Sequence, residues 1–271
     1  MKRSKWDLRI QRADELTPVH PFAAEALRFY KGIATFQKEL YAHVEAARGN
    51  GSRKKVAGLF DEDLNLPLLL PKFPEFLSRL SAFSPRPIAE SAGSLRTQSA
   101  ARVEELLAFH WRKASDSQPA PSETEALLAW IFLQPYAECL ADRSEHGPGN
   151  DSLALCPFCG GKPLVGVLRP EGDGAKRFLI CALCATEWAF RRILCSSCGE
   201  EAVEKLAVYT AAEFNHVRVE GCDTCHHYIK TVDLTKNGLA VAIVDELATI
   251  PLNLWAQEHG FVKLRTNLLG I

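Results

Sequence analysis

Eight of the nine cysteines in this 271-residue chain fall in four C-x-x-C pairs: Cys156/Cys159, Cys181/Cys184, Cys195/Cys198 and Cys222/Cys225. Four sulfurs can close round one metal ion at about 2.3 Å only if the chain between two pairs returns to where it began. The segments between pairs therefore decide which pairs can meet. Between Cys159 and Cys181 lie 21 residues, in which the runs PLVGVLR and KRFLI flank PEGDG, a turn signal. Between Cys198 and Cys222 lie 23 residues, in which KLAVYT and HVRVEG flank AAEFN, where the chain can reverse. Both segments read as hairpins that return. The ten residues between Cys184 and Cys195, ATEWAFRRIL, contain no Gly, Pro, Asn or Asp and read as one strand. Extended, that strand would hold its flanking pairs about 30 Å apart, and as a helix about 15 Å. The expected sites are Cys156, Cys159, Cys181 and Cys184 for the first, and Cys195, Cys198, Cys222 and Cys225 for the second. The two form an internal repeat close to a four-cysteine zinc pattern.

A site closed by four thiolates leaves no open coordination position, which argues against metal-assisted hydrolysis. Its direct role is in folding, where structural zinc contributes roughly 10–16 kcal/mol in peptide models. Zinc and a single iron suit four sulfurs equally. A redox C-x-x-C would open a helix within a βαβ unit, and these pairs sit among short β-like runs. The stretch CDTCH at 222–226 matches a haem-attachment pattern, but Cys222 and Cys225 are needed to complete the second site, which leaves His226 and His227 as surface groups or as groups that support the ligands from behind. Cys139, alone in an apolar run, reads as a small buried residue.

The first half reads as helical. Apolar residues recur at three-and-four spacing from Phe22 through Phe29, Ile33, Phe36 and Leu40 to Val44. A further helix is expected from about Ala89 to Lys113. Ser122 with Glu125 forms a capping box ahead of a well-buried helix that carries Pro135. The basic Arg53-Lys54-Lys55 and the acidic Asp61-Glu62-Asp63 read as solvated runs. At 142–151 the chain turns to Gly, Pro and polar residues, marking a boundary. Near the end, DELATIPLNLWAQEHG returns to helical spacing; either a helix starts just before Pro251 or it is kinked there. The expected fold is α+β and multidomain: a helical domain over 1–148, metal domains over 149–190 and 191–271, and a C-terminal helix. Formal net charge is −1, and residues 151–271 hold 12 Lys/Arg against 14 Asp/Glu, a poor balance for a nucleic-acid binder. No apolar leader opens the chain, so a cytoplasmic location is expected. No phosphate loop, nucleophile elbow or H-E-x-x-H is present, and no catalytic residues are assigned.

CPFCGGKPLVGV, FLICALCATEW, ILCSSCGE, VEGCDTCHHYIK and DELATIPLNLWAQEHGF, in this order and spacing, resemble the formate dehydrogenase accessory proteins of the FdhE type. The resemblance covers roughly 150–265, with a looser match at PFAAEALRFYKGIATFQKEL. It implies two rubredoxin-like domains, with iron held by the eight cysteines at 156, 159, 181, 184, 195, 198, 222 and 225. It also implies a cytoplasmic chaperone that binds the catalytic, molybdenum-containing subunit of formate dehydrogenase before twin-arginine export. Two alternatives come from other classes: a zinc-ribbon nucleic-acid module, and a rubredoxin-like electron-transfer maturation factor.

Overall fold

The protein was analysed as a computed structural model, which describes residues 3–49, 64–112, 122–144 and 151–270. The basic run at 53–55, the acidic run at 61–63 and most of the Gly/Pro-rich stretch at 142–151 lie outside them. Packing divides the chain into two compact units, one of Phe29–Glu145 and one joining Met1–Arg28 to His146–Ile271. Residues 1–28 thus pack with the cysteine-bearing unit.

The 29–145 unit is helical. It contains most of α2 (Ala24–Arg48), then α3 (Leu66–Leu69), α4 (Phe73–Ser81), α5 (Arg86–Arg96), α6 (Ala100–Arg112) and α7 (Glu123–Asp142). The α2 stripe buries Tyr30, Ile33, Phe36, Leu40 and Val44. Phe36, Phe73, Phe76 and Phe132 form an aromatic cluster with ring centroids 4.9–6.4 Å apart. The helix expected over 89–113 is two helices. Thr97 Oγ1 donates to the Ser94 carbonyl and Ser99 Oγ accepts from the Arg102 amide, so local side chains compete with the helical ladder at the break. The capping box of α7 is formed, with Ser122 Oγ and the Glu125 carboxylate each accepting from the other's amide. Pro135 lies inside α7 and cannot donate to Ile131, four residues back. Gln37 Nε2 donates to that carbonyl instead, at 2.8 Å.

The other unit holds α1 (Lys5–Val19) and a mixed sheet. Its strands are β1 (Pro163–Glu171), β2 (Gly174–Cys181), β3 (Glu187–Ala189), β4 (Val208–Thr210), β5 (Val217–Gly221), β6 (His227–Asp233) and β7 (Val262–Lys263). The order is β3-β2-β1-β6-β5-β4, with β7 also on β6. The repeat is visible in this order, since β1-β2-β3 and β4-β5-β6 are each antiparallel triplets that follow the same cysteine spacing. The triplets join where β1 runs parallel to β6 over Gly166–Leu168 and Thr231–Asp233. A Cβ on Gly166 would lie 2.2 Å from Thr231 Oγ1, so glycine allows the strands this close.

ATEWAFRRIL is a strand only over 187–189. Beyond Phe190 its polar backbone is taken elsewhere: the Arg191 amide donates to the Asp151 carbonyl, and Arg177 Nη1 donates to the carbonyls of Arg191 and Leu194. At the C-terminus, α8 (Ala242–Ala248) and α9 (Ile250–Glu258) are separate helices, with Pro251 in the first turn of α9. Proline is tolerated there because first-turn amides have no intrahelical partner.

Candidate metal centres

The two hairpins bring the cysteines together in the expected groups. Cys156, Cys159, Cys181 and Cys184 form one cluster and Cys195, Cys198, Cys222 and Cys225 another; in each, the sulfurs lie within 4.8 Å of one another. A tetrahedral ion with 2.3 Å metal–sulfur bonds requires sulfur–sulfur edges of about 3.8 Å. In the second cluster Cys195–Cys225 and Cys198–Cys222 are each 3.8 Å apart. Edges in the first are slightly shorter, 3.6 Å for Cys156–Cys184 and 3.3 Å for Cys159–Cys181. Each cluster could hold one metal ion.

Every pair sits in the same local turn, and the backbone explains it. The amides of Cys156, Cys181, Cys195 and Cys222 donate to carbonyls five residues on, at Gly161, Thr186, Glu200 and His227, at 2.8–3.0 Å. The residue after each second cysteine takes a positive φ: Gly160 at 62°, Ala185 at 51°, Gly199 at 78° and His226 at 53°. Glycine adopts this freely, whereas Ala185 and His226 are strained by it. CDTCH is therefore a fourth copy of the same knuckle, with His226 at its left-handed position. Amides at 161, 183 and 197 donate to the sulfurs of Cys159, Cys181 and Cys195 at 3.3–3.4 Å. A Cβ on Gly161 would lie 3.1 Å from Cys159 Sγ and 3.3 Å from Cys181 Sγ, so the backbone lies directly against the first site.

Burial pushes the Cys184 thiol well above its ordinary value and the Cys195 thiol up to about 12. Burial acts the same way on Cys225, but backbone and side-chain hydrogen bonds involving His227 outweigh it and lower that group to about 6. Four sulfurs this close cannot all ionise without a cation among them. A divalent ion resolves that conflict, because its ligands must be deprotonated.

Charged groups that the sequence pattern did not single out tie the elements of this unit together. Arg177, 2% exposed, pairs with Glu220 at 2.5 Å and so ties β2 to β5; Arg218 holds the same carboxylate at 2.6 Å. Glu246 in α8 is fully buried. Lys230 of β6 lies 3.1 Å away, Lys263 of β7 pairs with the same oxygen, and Asn267 donates to the other at 3.1 Å. Burial works to raise the Glu246 pKa, but Lys230 and Lys263 outweigh it and hold the group at about 2. Asp245 accepts from Arg12 Nε at 2.9 Å and Nη2 at 2.6 Å, which anchors α1 to α8, and lies 2.9 Å from His216 Nε2. The signal available in the sequence was two adjacent acids, Asp245 and Glu246, inside an otherwise apolar stretch.

The same unit carries an apolar groove of about 920 Å³ beside the edge strand β4, lined by Val19, Phe22, Tyr209, Phe214 and Trp255 among others. Phe22 and Val208 are each 53% exposed there. Among the described residues no helix is long and apolar enough to cross a membrane. Cys139 is buried in α7 of the helical unit.

Helices and a tandem pair of four-cysteine units on one sheet define an α+β protein with two clusters that could each hold a metal ion. The family model for the FdhE central domain matches residues 155–192, and that for the FdhE C-terminal domain matches 193–269. A protein FdhE homolog of Aquifex aeolicus is 37% identical over 141 residues, covering 51% of this chain and 50% of the relative. Another, of Pasteurella multocida, is 31% identical over 150 residues, covering 54% and 48%. The chain thus spans about half the length of these two relatives. A third, of Pectobacterium atrosepticum, is 26% identical over 276 residues, covering 98% and 87%. The crystal structure of the FdhE protein from Pseudomonas aeruginosa shares the fold, with a TM-score of 0.70 at 24% identity over 99% of this chain and 97% of that one. Residues 155–269 of this chain thus match the FdhE central and C-terminal domain models one after the other.

Proposed function

We propose that this chain is an accessory protein of formate dehydrogenase assembly. In this reading it works in the cytoplasm, binds the catalytic, molybdenum-containing subunit during maturation and before twin-arginine export, and catalyses no reaction itself. The observation that carries the reading is the match of residues 155–269 to the FdhE domain models, together with two cysteine clusters that each offer a full set of four sulfurs to one ion. A closed set offers a substrate no coordination position. The exposed apolar groove is surface of the kind that binding proteins present.

The metal centres are read as two mononuclear sites, one on Cys156, Cys159, Cys181 and Cys184 and one on Cys195, Cys198, Cys222 and Cys225. Iron follows from the family resemblance, and zinc is the alternative. When bound, each ion supplies a cross-link between two knuckles of a hairpin too small to hold itself closed. Segments 149–190 and 191–271 are then two metal-binding modules.

The test is affinity capture on the full-length chain, purified without oxygen, from cells making formate dehydrogenase. Specific recovery of the catalytic subunit is expected. Its absence, with both metals bound and the chain folded, would sink the assembly reading. Retention on random DNA that falls steeply with salt would favour the nucleic-acid alternative.

A further inference from the structure

The two centres differ in a way the repeat does not require. All four cysteines of the first are buried, none more than 3% exposed, whereas in the second Cys198 is exposed and Cys225 is half-buried. We propose that the second centre is the exchangeable metal site of this chain, opening at Cys198 and Cys225, and that the first keeps its ion.

The difference originates in the residues inside each C-x-x-C pair. In the pairs of the first centre Phe158 and Ala182 are buried and Leu183 is half-buried, with Pro157 exposed. In those of the second Ser196 is buried and Ser197 half-buried, whereas Asp223 and Thr224 are both exposed. The contrast lies between the 181/184 and 222/225 pairs: apolar Ala182 and Leu183 turn the one toward the core, and polar Asp223 and Thr224 hold the other at the surface.

Metal release from a four-coordinate ion begins when an incoming ligand reaches it and the coordination shell expands before a protein sulfur leaves. At the first centre the backbone at Gly161 lies against two sulfurs, and Thr186 Oγ1 lies 3.0 Å from the Cys184 sulfur. The second is reached directly at Cys198. From another side it is flanked by a cavity of about 50 Å³, lined by Cys195, Cys222, Ser196, Ser197 and His227 among others. The incoming ligand this geometry admits is a soft one, a thiolate or an imidazole, or a small chelator.

The experiment uses the full-length protein with its native metal, challenged with EDTA. Ions per chain are followed by native mass spectrometry, and exposed thiols by iodoacetamide labelling and peptide mapping. One ion is expected to leave at least about tenfold faster than the other. During that phase Cys195, Cys198, Cys222 and Cys225 label, while Cys156, Cys159, Cys181 and Cys184 stay protected. The variant D223A/T224L, which gives the 222/225 pair of the second centre the residues of the 181/184 pair of the first, should slow the fast phase and leave the slow one unchanged. Loss of both ions together, earlier labelling of the first four cysteines, or an unchanged fast phase in that folded variant would overturn the proposal. So would a chain that carries no ion when isolated.

Discussion

Replacing Gly166 with alanine tests whether the two cysteine units share one sheet. The new methyl group would lie 2.2 Å from Thr231 Oγ1, 3.2 Å from its Cβ and 3.3 Å from its Cγ2. Rotating the threonine could move Oγ1 away, but the β-branched side chain would still present its Cβ and a methyl group at a tight distance. The strands must therefore part where β1 meets β6. Overpacking of this kind costs about 1–3 kcal/mol. In a folding unit of roughly 150 residues that lowers Tm by about 3–10 °C. Replacing Thr231 with alanine removes both Oγ1 and Cγ2. G166A/T231A should recover most of the loss, with a coupling of about 1 kcal/mol or more in a double-mutant cycle. The assay is thermal unfolding by circular dichroism with metal bound. A Gly166→Ala chain as stable as the parent, or additive losses in the double variant, would refute the close parallel pairing of the two units.

Other outcomes follow from the same structure. Ala185→Gly and His226→Gly should each stabilise by roughly 0.5–1 kcal/mol, because relief of the left-handed strain exceeds the entropy cost of glycine; urea midpoints check this. Glu246 has a folded pKa of about 2, below its ordinary 4.5, so its stabilisation is complete above about pH 4.5 and is lost as pH falls toward 2. The shift corresponds to about 3 kcal/mol; Tm should fall over that range, and less steeply in Glu246→Gln, when followed by calorimetry. Gln37→Leu leaves the Ile131 carbonyl without its donor and should cost about 1–3 kcal/mol in chemical denaturation.

The cysteine pairing was legible in the sequence because hairpin closure is a local property of turn residues and spacing. The α2 stripe and the α7 capping box were legible for the same reason. What the sequence hid depends on distant partners. ATEWAFRRIL, residues 185–194, reads as one strand, but Arg177 takes two of its carbonyls, and nothing in the segment itself announces that. The continuous sheet depends on Gly166 facing Thr231, residues 65 positions apart in the chain. Asp245 and Glu246 look like surface acids until Arg12, His216, Lys230 and Lys263 close on them. His226 is at the surface, as its place beside a complete cysteine set implies, but its left-handed backbone gives no sign of itself in the sequence.

The neighbouring pairs 181/184 and 195/198 belong to different clusters, and so to different centres. Counting ions per chain by native mass spectrometry, in the parent and in C181S/C184S, tests it most directly. Two ions are expected in the parent and one in the variant, with the remaining ion still bound by Cys195, Cys198, Cys222 and Cys225. A parent chain that holds a single ion, or a folded variant that keeps both, would contradict it.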